Sequence, residues 1–262
     1  MENSENYHVL DQPQVLQRLF HPRKEAFGRI PEKTRDDLMI QVDQGVEIGG
    51  SFYFQSQNAP VILFFHGNGE IVSDYDDLGK YFTDTGVNFF VVDFRGYGRS
   101  SGQPSVSTMM KDCHRILDYL ISYMKKRDMN GHVCIMGRSL GSASAIELGV
   151  NSQHDIHCLI IESGFAFVSP LLRILGIDPL AIGYKEGQGF ENLDKIKNFS
   201  KPCLIIHAQF DHIIPFSDGL ALYEACKSSS KFLLEIKEAN HNDIFFHDMG
   251  SYLEHVKKFC IT

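Results

Sequence analysis

The chain has 262 residues, 43% hydrophobic and 22% charged, with 25 Lys plus Arg against 33 Asp plus Glu and a formal net charge of −8. This composition excludes a disordered chain, and without an apolar run of about 18 residues it excludes a membrane-spanning one. The acidic balance has the wrong sign for neutralising nucleic-acid phosphates or docking on anionic lipid, so neither is expected as a partner.

Within residues 1–36, only Val15, Leu16, Leu19 and Phe20 suggest local order, as one short amphipathic turn packed on the outside. From Asp37 the pattern alternates through Leu38, Ile40 and Val42, passes Gln44-Gly45 and resumes from Val46 to Phe54, the signature of an antiparallel hairpin. After Pro60 short continuous apolar runs recur at 61–65, 89–94, 133–136, 158–161, 203–206 and 232–236. Such runs are what strands of a parallel sheet look like when helices cover both faces. Between them lie helical stripes, the clearest being Met110, Cys113, Leu117, Leu120 and Met124. Weaker ones run through Tyr75, Leu78 and Phe82 and through Tyr252 or Leu253, Val256 and Phe259. An antiparallel start followed by strand and helix units predicts a single α/β domain over 1–262, with its functional loops at the carboxyl ends of the strands. Residues 164–199 break the rhythm and read as a small insertion of short helices, too small for a second domain.

The run 133–136 ends in Gly137-Arg138-Ser139-Leu140-Gly141, followed by the small residues Ser142, Ala143, Ser144 and Ala145. This is a G-x-S-x-G nucleophile elbow with a strand before it and a small-residue helix after it, which lets the helix approach the sheet and lifts the serine Oγ toward substrate. Serine is inert at neutral pH without a base and a group that orients the base. The run 203–206 leads into His207-Ala208-Gln209-Phe210-Asp211, and 232–236 leads into Ala239-Asn240-His241. Ser139, Asp211 and His241 therefore stand in the Ser, Asp, His order of an elbow-type triad, each on a loop past its own strand. Glu162 is a competing acid, and His212, His247 and His255 are competing bases. His154 and His157 have a metal-like spacing but no third ligand nearby, so no metal is expected, and no organic cofactor is implied.

A tetrahedral intermediate needs backbone donors. One is the N–H of Leu140, next to the nucleophile; the second is assigned to the N–H of Asn68, in His66-Gly67-Asn68-Gly69 after the run 61–65. His66 at this bend braces the loop. Gly96-Tyr97-Gly98-Arg99-Ser100-Ser101-Gly102 resembles a dinucleotide loop, but its third glycine is one residue late and Pro104 interrupts the receiving helix, so nucleotide binding is not expected.

With these residues in place, the chain resembles the α/β-hydrolase superfamily over about residues 38–259. Its landmarks are the elbow, Phe64-Phe65-His66-Gly67-Asn68-Gly69, Asp93-Phe94-Arg95-Gly96-Tyr97-Gly98-Arg99-Ser100, His207-Ala208-Gln209-Phe210-Asp211 and Asn240-His241-Asn242-Asp243. Within it the chain is similar to the serine hydrolases with a His-Gly-Asn oxyanion loop, a group that includes acyl-protein thioesterases. The depalmitoylating members carry an N-terminal cysteine cluster, whereas the first cysteine here is Cys113, which counts against membrane-held protein substrates. The resemblance makes Asp93 and Arg95 scaffold residues and places the lid at 164–199. Arg138 is read as structural, with an anion-binding role as the lesser alternative.

The expected activity is hydrolysis of a carboxylic ester or thioester, on a small-molecule or acylated substrate, through an acyl-enzyme. A peptidase or amidase on the same triad is the alternative, and a catalytically idle binding protein of this fold is another. The apolar lid residues suit a medium or long acyl chain, or equally just pack the lid onto the body. Cys113, Cys134, Cys158, Cys203, Cys226 and Cys260 are dispersed through apolar runs and read as buried thiols. No secretory signal opens the sequence, Glu2 excludes myristoylation and Cys260 stands third from the end, so a cytoplasmic protein without a stable membrane anchor is expected.

Overall fold

A computed structural model describes residues 7–26 and 32–261. The acidic first six residues, including Glu2, residues 27–31 of the expected extension, and Thr262 lie outside the described residues. The chain begins with α1 (Pro13–Leu19), then β1 (Arg35–Asp43), β2 (Val46–Tyr53), β3 (Val61–Phe65), α2 (Asp76–Asp84) and β4 (Asn88–Val92). It continues with α3 (Val106–Lys126), β5 (Val133–Arg138), α4 (Gly141–Asn151), β6 (Ile156–Glu162), α5 (Val168–Ile174) and α6 (Asn192–Ile196). The last elements are β7 (Cys203–Ala208), α7 (Phe216–Ala225), β8 (Lys231–Ile236) and α8 (Ile244–Ile261).

The eight strands form one sheet in the order β1-β2-β4-β3-β5-β6-β7-β8. β2 pairs antiparallel with both β1 and β4, and the pairings from β4 through to β8 are all parallel, so β2 alone runs against the rest. This is the expected α/β-hydrolase architecture. The apolar runs became strands because their alternate side chains serve both faces. Val61, Leu63 and Phe65 of β3 enter one core cluster with α3 and α4, whereas Ile62 and Phe64 enter a second with α2 and α8. On that second face the Phe82 and Phe89 rings stack at 4.2 Å, and Tyr252 from α8 is fully buried.

β8 differs from the fully buried strands that its apolar run suggests. As the edge strand it leaves Phe232 partly exposed and buries only Leu234 and Ile236. At the other end of the chain, α1 is not an outer appendage: Val15, Leu19 and Phe20 are buried in the larger core cluster.

The chain winds from β3 to β4 and returns through α3 to β5, so the strand order reverses between β3 and β5. Ligand sites in open α/β sheets form at such a reversal, where the loops past the strand ends part in opposite directions. Pairing of Phe65 with Gly137 sets the His66 to Gly69 loop beside the Ser139 elbow.

Candidate active site

Both glycines of the elbow are required by close approach. A Cβ on Gly137 would lie 2.3 Å from the carbonyl oxygen of Gly141, and one on Gly141 would lie 2.1 Å from that of Phe65. Between them Ser139 takes a φ of +50°, the left-handed conformation that the elbow imposes on a non-glycine residue. The strain is held by donation from Ser139 N to Glu162 O at 2.9 Å, and by Ser142, whose N and Oγ both donate to Ser139 O, at 3.0 and 2.6 Å.

His241, in the loop between β8 and α8, brings Nε2 to 3.0 Å from Ser139 Oγ. Its Nδ1 lies 2.7 Å from Asp211 Oδ2. An ionised carboxylate only accepts, so Nδ1 carries the proton and Nε2 presents its lone pair to the Ser139 hydroxyl. The other Asp211 oxygen accepts from the backbone N–H groups of Ile213 at 3.0 Å and Ile214 at 2.8 Å, which fixes the carboxylate plane. Burial pushes the Asp211 carboxyl up, but His241, the Ile214 N–H and His207 outweigh it and hold it below its ordinary value. Ser139, Asp211 and His241 are thus brought together from three loops as one hydrogen-bonded line.

The competing residues are engaged elsewhere. Glu162 is buried and binds Arg138 Nε at 3.1 Å and the Tyr252 hydroxyl at 2.6 Å. His212 Nδ1 meets Asn240 Oδ1 at 2.5 Å, His247 faces Asp243 at 3.6 Å, and His255 Nδ1 meets Ser251 O at 2.8 Å. His154 pairs with Asp118 while His157 stacks on His132, so the two share no common ligand point. His66 is fully buried against Gly67 O at 2.7 Å and Asp93 at 3.4 Å, a brace within its own loop. Among the described residues, Cys134, Cys158 and Cys260 bring their Sγ atoms within 4.8 Å of one another. They sit buried at the amino-terminal ends of β5 and β6 and the end of α8, at the opposite end of the strands from Ser139. All six cysteines are buried and unpaired.

Asn68 does more than its sequence position suggests. Its Nδ2 donates to Leu19 O at 2.8 Å, and its Oδ1 accepts from His21 N at 2.9 Å and the Tyr97 hydroxyl at 2.6 Å. The side chain ties the loop after β3 to the segment following α1. Among the described residues, neither Asn68 N–H nor Leu140 N–H donates to a protein acceptor. From α1 and the residue before it, Gln12 Nε2 donates to Ile182 O at 2.8 Å, and Arg18 donates to Leu175 O at 3.0 Å and Gly176 O at 3.1 Å. The residues around α1 therefore bridge the loop after β3 and the insertion after β6. Sequence alone gave no sign of this bridge, because each of its hydrogen bonds has a backbone group on one side, which leaves no residue signature.

In the insertion, Phe165, Leu172, Ile182 and Phe190 are buried in the main core cluster, whereas Ile174 and Leu180 are 50% and 82% exposed. Packing onto the body accounts for most of its apolar residues. Its stem is held by Asp218, which accepts from Ala166 N at 2.8 Å, and by Asn192, which donates to Phe165 O at 2.9 Å. The loop 96–102 is likewise scaffold: Gly98 N donates to Arg23 O at 2.8 Å, and a Cβ on Gly98 would strike the Asp93 carboxylate. Arg95 forms a buried pair with Asp112, with donors at 2.6 and 2.8 Å.

Comparison with known proteins identifies the family and the fold. The chain is 31% identical over 251 residues to alpha/beta hydrolase domain-containing protein 17B of Xenopus tropicalis, covering 91% of this chain and 81% of that protein. It is 31% identical over 247 residues to the protein of the same name from Homo sapiens. The chain belongs to the α/β-hydrolase superfamily. Residues 56–181 match the family described as Serine aminopeptidase, S33. The fold is shared with the esterase Pf2001 of Pyrococcus furiosus, at a TM-score of 0.72 and 17% identity over 91% of this chain and 97% of that one. It is also shared with Est1E of Butyrivibrio proteoclasticus, at 0.65 and 20% over 85% and 96%. This α/β-hydrolase is a serine hydrolase. No helix among its described residues is long and apolar enough to cross a membrane.

Proposed function

We propose that this hydrolase cleaves a carboxylic ester or thioester of a small-molecule or acylated substrate through an acyl-enzyme on Ser139. The observation that carries the reading is the hydrogen-bonded line from Ser139 Oγ through His241 to Asp211, at 3.0 and 2.7 Å. As Oγ attacks the acyl carbonyl, His241 Nε2 takes its proton, and Asp211 holds the tautomer and stabilises the imidazolium. The oxyanion develops between Leu140 N–H and Asn68 N–H, both without protein acceptors among the described residues. Such donors act most strongly where charge appears in the transition state, each worth about 10²–10³ in rate. His241 then returns the proton to the leaving alkoxide or thiolate, and an activated water releases the acid by the same steps in reverse.

The working unit is a single domain over 1–262, with an extension at 1–36 and a lid at 164–199. Six buried, unpaired thiols support a reducing, cytoplasmic setting. The similarity of residues 56–181 to the family described as Serine aminopeptidase, S33, favours one second reading, a peptidase or amidase on the same residues.

The test is turnover of a chain-length series of p-nitrophenyl esters, an acyl thioester and matched acyl-peptide anilides by the wild type and Ser139→Ala. Ester or thioester cleavage exceeding anilide cleavage, and lost in Ser139→Ala, is expected. Faster anilide cleavage selects the peptidase reading; turnover retained by Ser139→Ala overturns both.

A further inference from the structure

Arg138 occupies the position before the nucleophile, and its guanidinium is held by protein groups on every nitrogen. Nη1 pairs with Glu70 Oε1, Nε donates to Glu162 Oε1 at 3.1 Å, and Nη2 donates to His241 O at 2.7 Å and Asn242 Oδ1 at 3.1 Å. Four of the five guanidinium N–H donors are thereby engaged, and the side chain is only 12% exposed, so Arg138 serves the protein scaffold in preference to an anionic substrate. Burial works against the charge, but Glu70 and Glu162 outweigh it and raise the guanidinium pKa.

Glu70 carries the contact onward. Its second oxygen accepts from Gly67 N at 2.7 Å and from the Tyr75 hydroxyl at 2.6 Å. Gly67 precedes Asn68, so the peptide plane that aims Asn68 N–H lies one residue from the Glu70 anchor. The guanidinium passes directly under this loop: a Cβ on Gly67 would lie 2.6 Å from Arg138 Nη1. One planar cation thereby joins four chain segments, the elbow, the loop after β3, the end of β6 and the histidine loop.

We propose that Arg138, acting through Glu70, is a positioning residue that fixes the oxyanion loop and the backbone of His241 relative to Ser139. The inference rests on the acyl-transfer reading above and names residues that touch no reacting atom. Guanidinium is needed because its rigid fork sends donors in three directions at once, whereas a lysine ammonium at the same place meets one carboxylate and leaves the carbonyl of His241 unheld. Misplacement of a reacting group by about 1 Å can cost about 10²-fold in rate without weakening substrate binding.

The experiment compares wild type, Arg138→Lys, Glu70→Gln and the double variant on the ester that the wild type cleaves. Active sites are titrated to completion with a fluorophosphonate, so that turnover is expressed per labelled Ser139. Glu70→Gln retains an acceptor for Tyr75 and Gly67 and loses only the charged pair, and Arg138→Lys keeps the charge, so each checks the other against misfolding. Each single variant is expected to label completely but slowly, with kcat per site down about 10²-fold and KM within about threefold. The double variant should fall little below the worse single one, because both substitutions break one chain of contacts.

A purely structural role would instead reduce the labelled fraction and leave kcat per labelled site at the wild-type value, which overturns the proposal. Multiplicative losses in the double variant also overturn it. Failure of the wild type itself to label at Ser139 refutes the serine mechanism, and the positioning role falls with it. Labelled wild type with unimpaired variants refutes the positioning role alone.

Discussion

Replacing Glu147 by Gln should cost about 3 kcal/mol of stability near pH 7, and the cost should fade in acid. Glu147 lies on α4, with its side chain 11% exposed, and its Oε2 makes an ion pair of 2.7 Å with Lys195 of α6, itself 12% exposed. His114 Nε2 of α3 lies 3.2 Å from Oε1, and Asn151 Nδ2 donates to the same oxygen at 3.0 Å. Burial pushes the carboxyl up, but His114, Lys195 and Asn151 overcome it and bring the pKa from 4.5 to about 2. A depressed folded-state pKa stabilises the native protein above the unfolded value, and that stability is lost as pH falls through the folded value. At about 1.4 kcal/mol per unit, the shift corresponds to about 3 kcal/mol near neutrality and to about 1 kcal/mol near pH 3.

Glutamine imitates the protonated acid, and it leaves Lys195 without its counter-charge. Urea unfolding of wild type and Glu147→Gln at several pH values from 7 to 3 measures the difference directly. In a thermal scan near pH 7 it should appear as a midpoint lowered by about 6–12 °C. A difference that does not change with pH, or one below about 1 kcal/mol near pH 7, would refute the assignment of the stability to the ionised carboxylate.

Other substitutions probe the site and the core. Asp211→Asn should leave the fold intact and lower kcat by about 10³–10⁴, because an amide favours the wrong imidazole tautomer; steady-state kinetics should show KM little changed. Gly141→Ala places a methyl 2.1 Å from Phe65 O, so the helix must move off the sheet; loss of more than about 1–3 kcal/mol in chemical denaturation is expected, together with loss of activity. Phe82→Ala removes a ring that is 1% exposed and stacked on Phe89, and should cost about 3–5 kcal/mol in the same assay with catalysis retained in the folded fraction.

What could be read from the sequence followed from how far each signal reaches along the chain. The parallel strands were legible because each is a short apolar run buried on both faces, as β3, with all five residues buried, illustrates. β8 carries a similar run and is nonetheless an edge strand, since edge position is decided by which neighbours pair and not by the run itself. The elbow was legible because its geometry is local: Gly137 and Gly141 answer contacts made within one turn and with the adjacent strand. Asp211 and His241 were indicated by chain order together with their positions just past the ends of two apolar runs.

The network of Arg138 left no such mark. Its partners Glu70 and His241 stand 68 and 103 residues away, and only the neighbouring positions of β3 and β5, together with the histidine loop, bring them to one guanidinium. The role of α1 was hidden for a similar reason. The apolar residues Val15, Leu16, Leu19 and Phe20 indicate one buried side, but not that Gln12, Arg18, Leu19 and His21 bridge the loop after β3 and the insertion after β6.

The acylation of Ser139 is the step on which the functional account depends, and a fluorophosphonate tests it with least ambiguity because it reacts with activated serines. Intact-mass measurement followed by peptide mapping should show one adduct, on the peptide containing Ser139. It should be absent in Ser139→Ala and strongly slowed in His241→Ala, since the base that activates the hydroxyl is then gone. An adduct on another residue, or equal labelling of folded wild type and Ser139→Ala, would contradict the account.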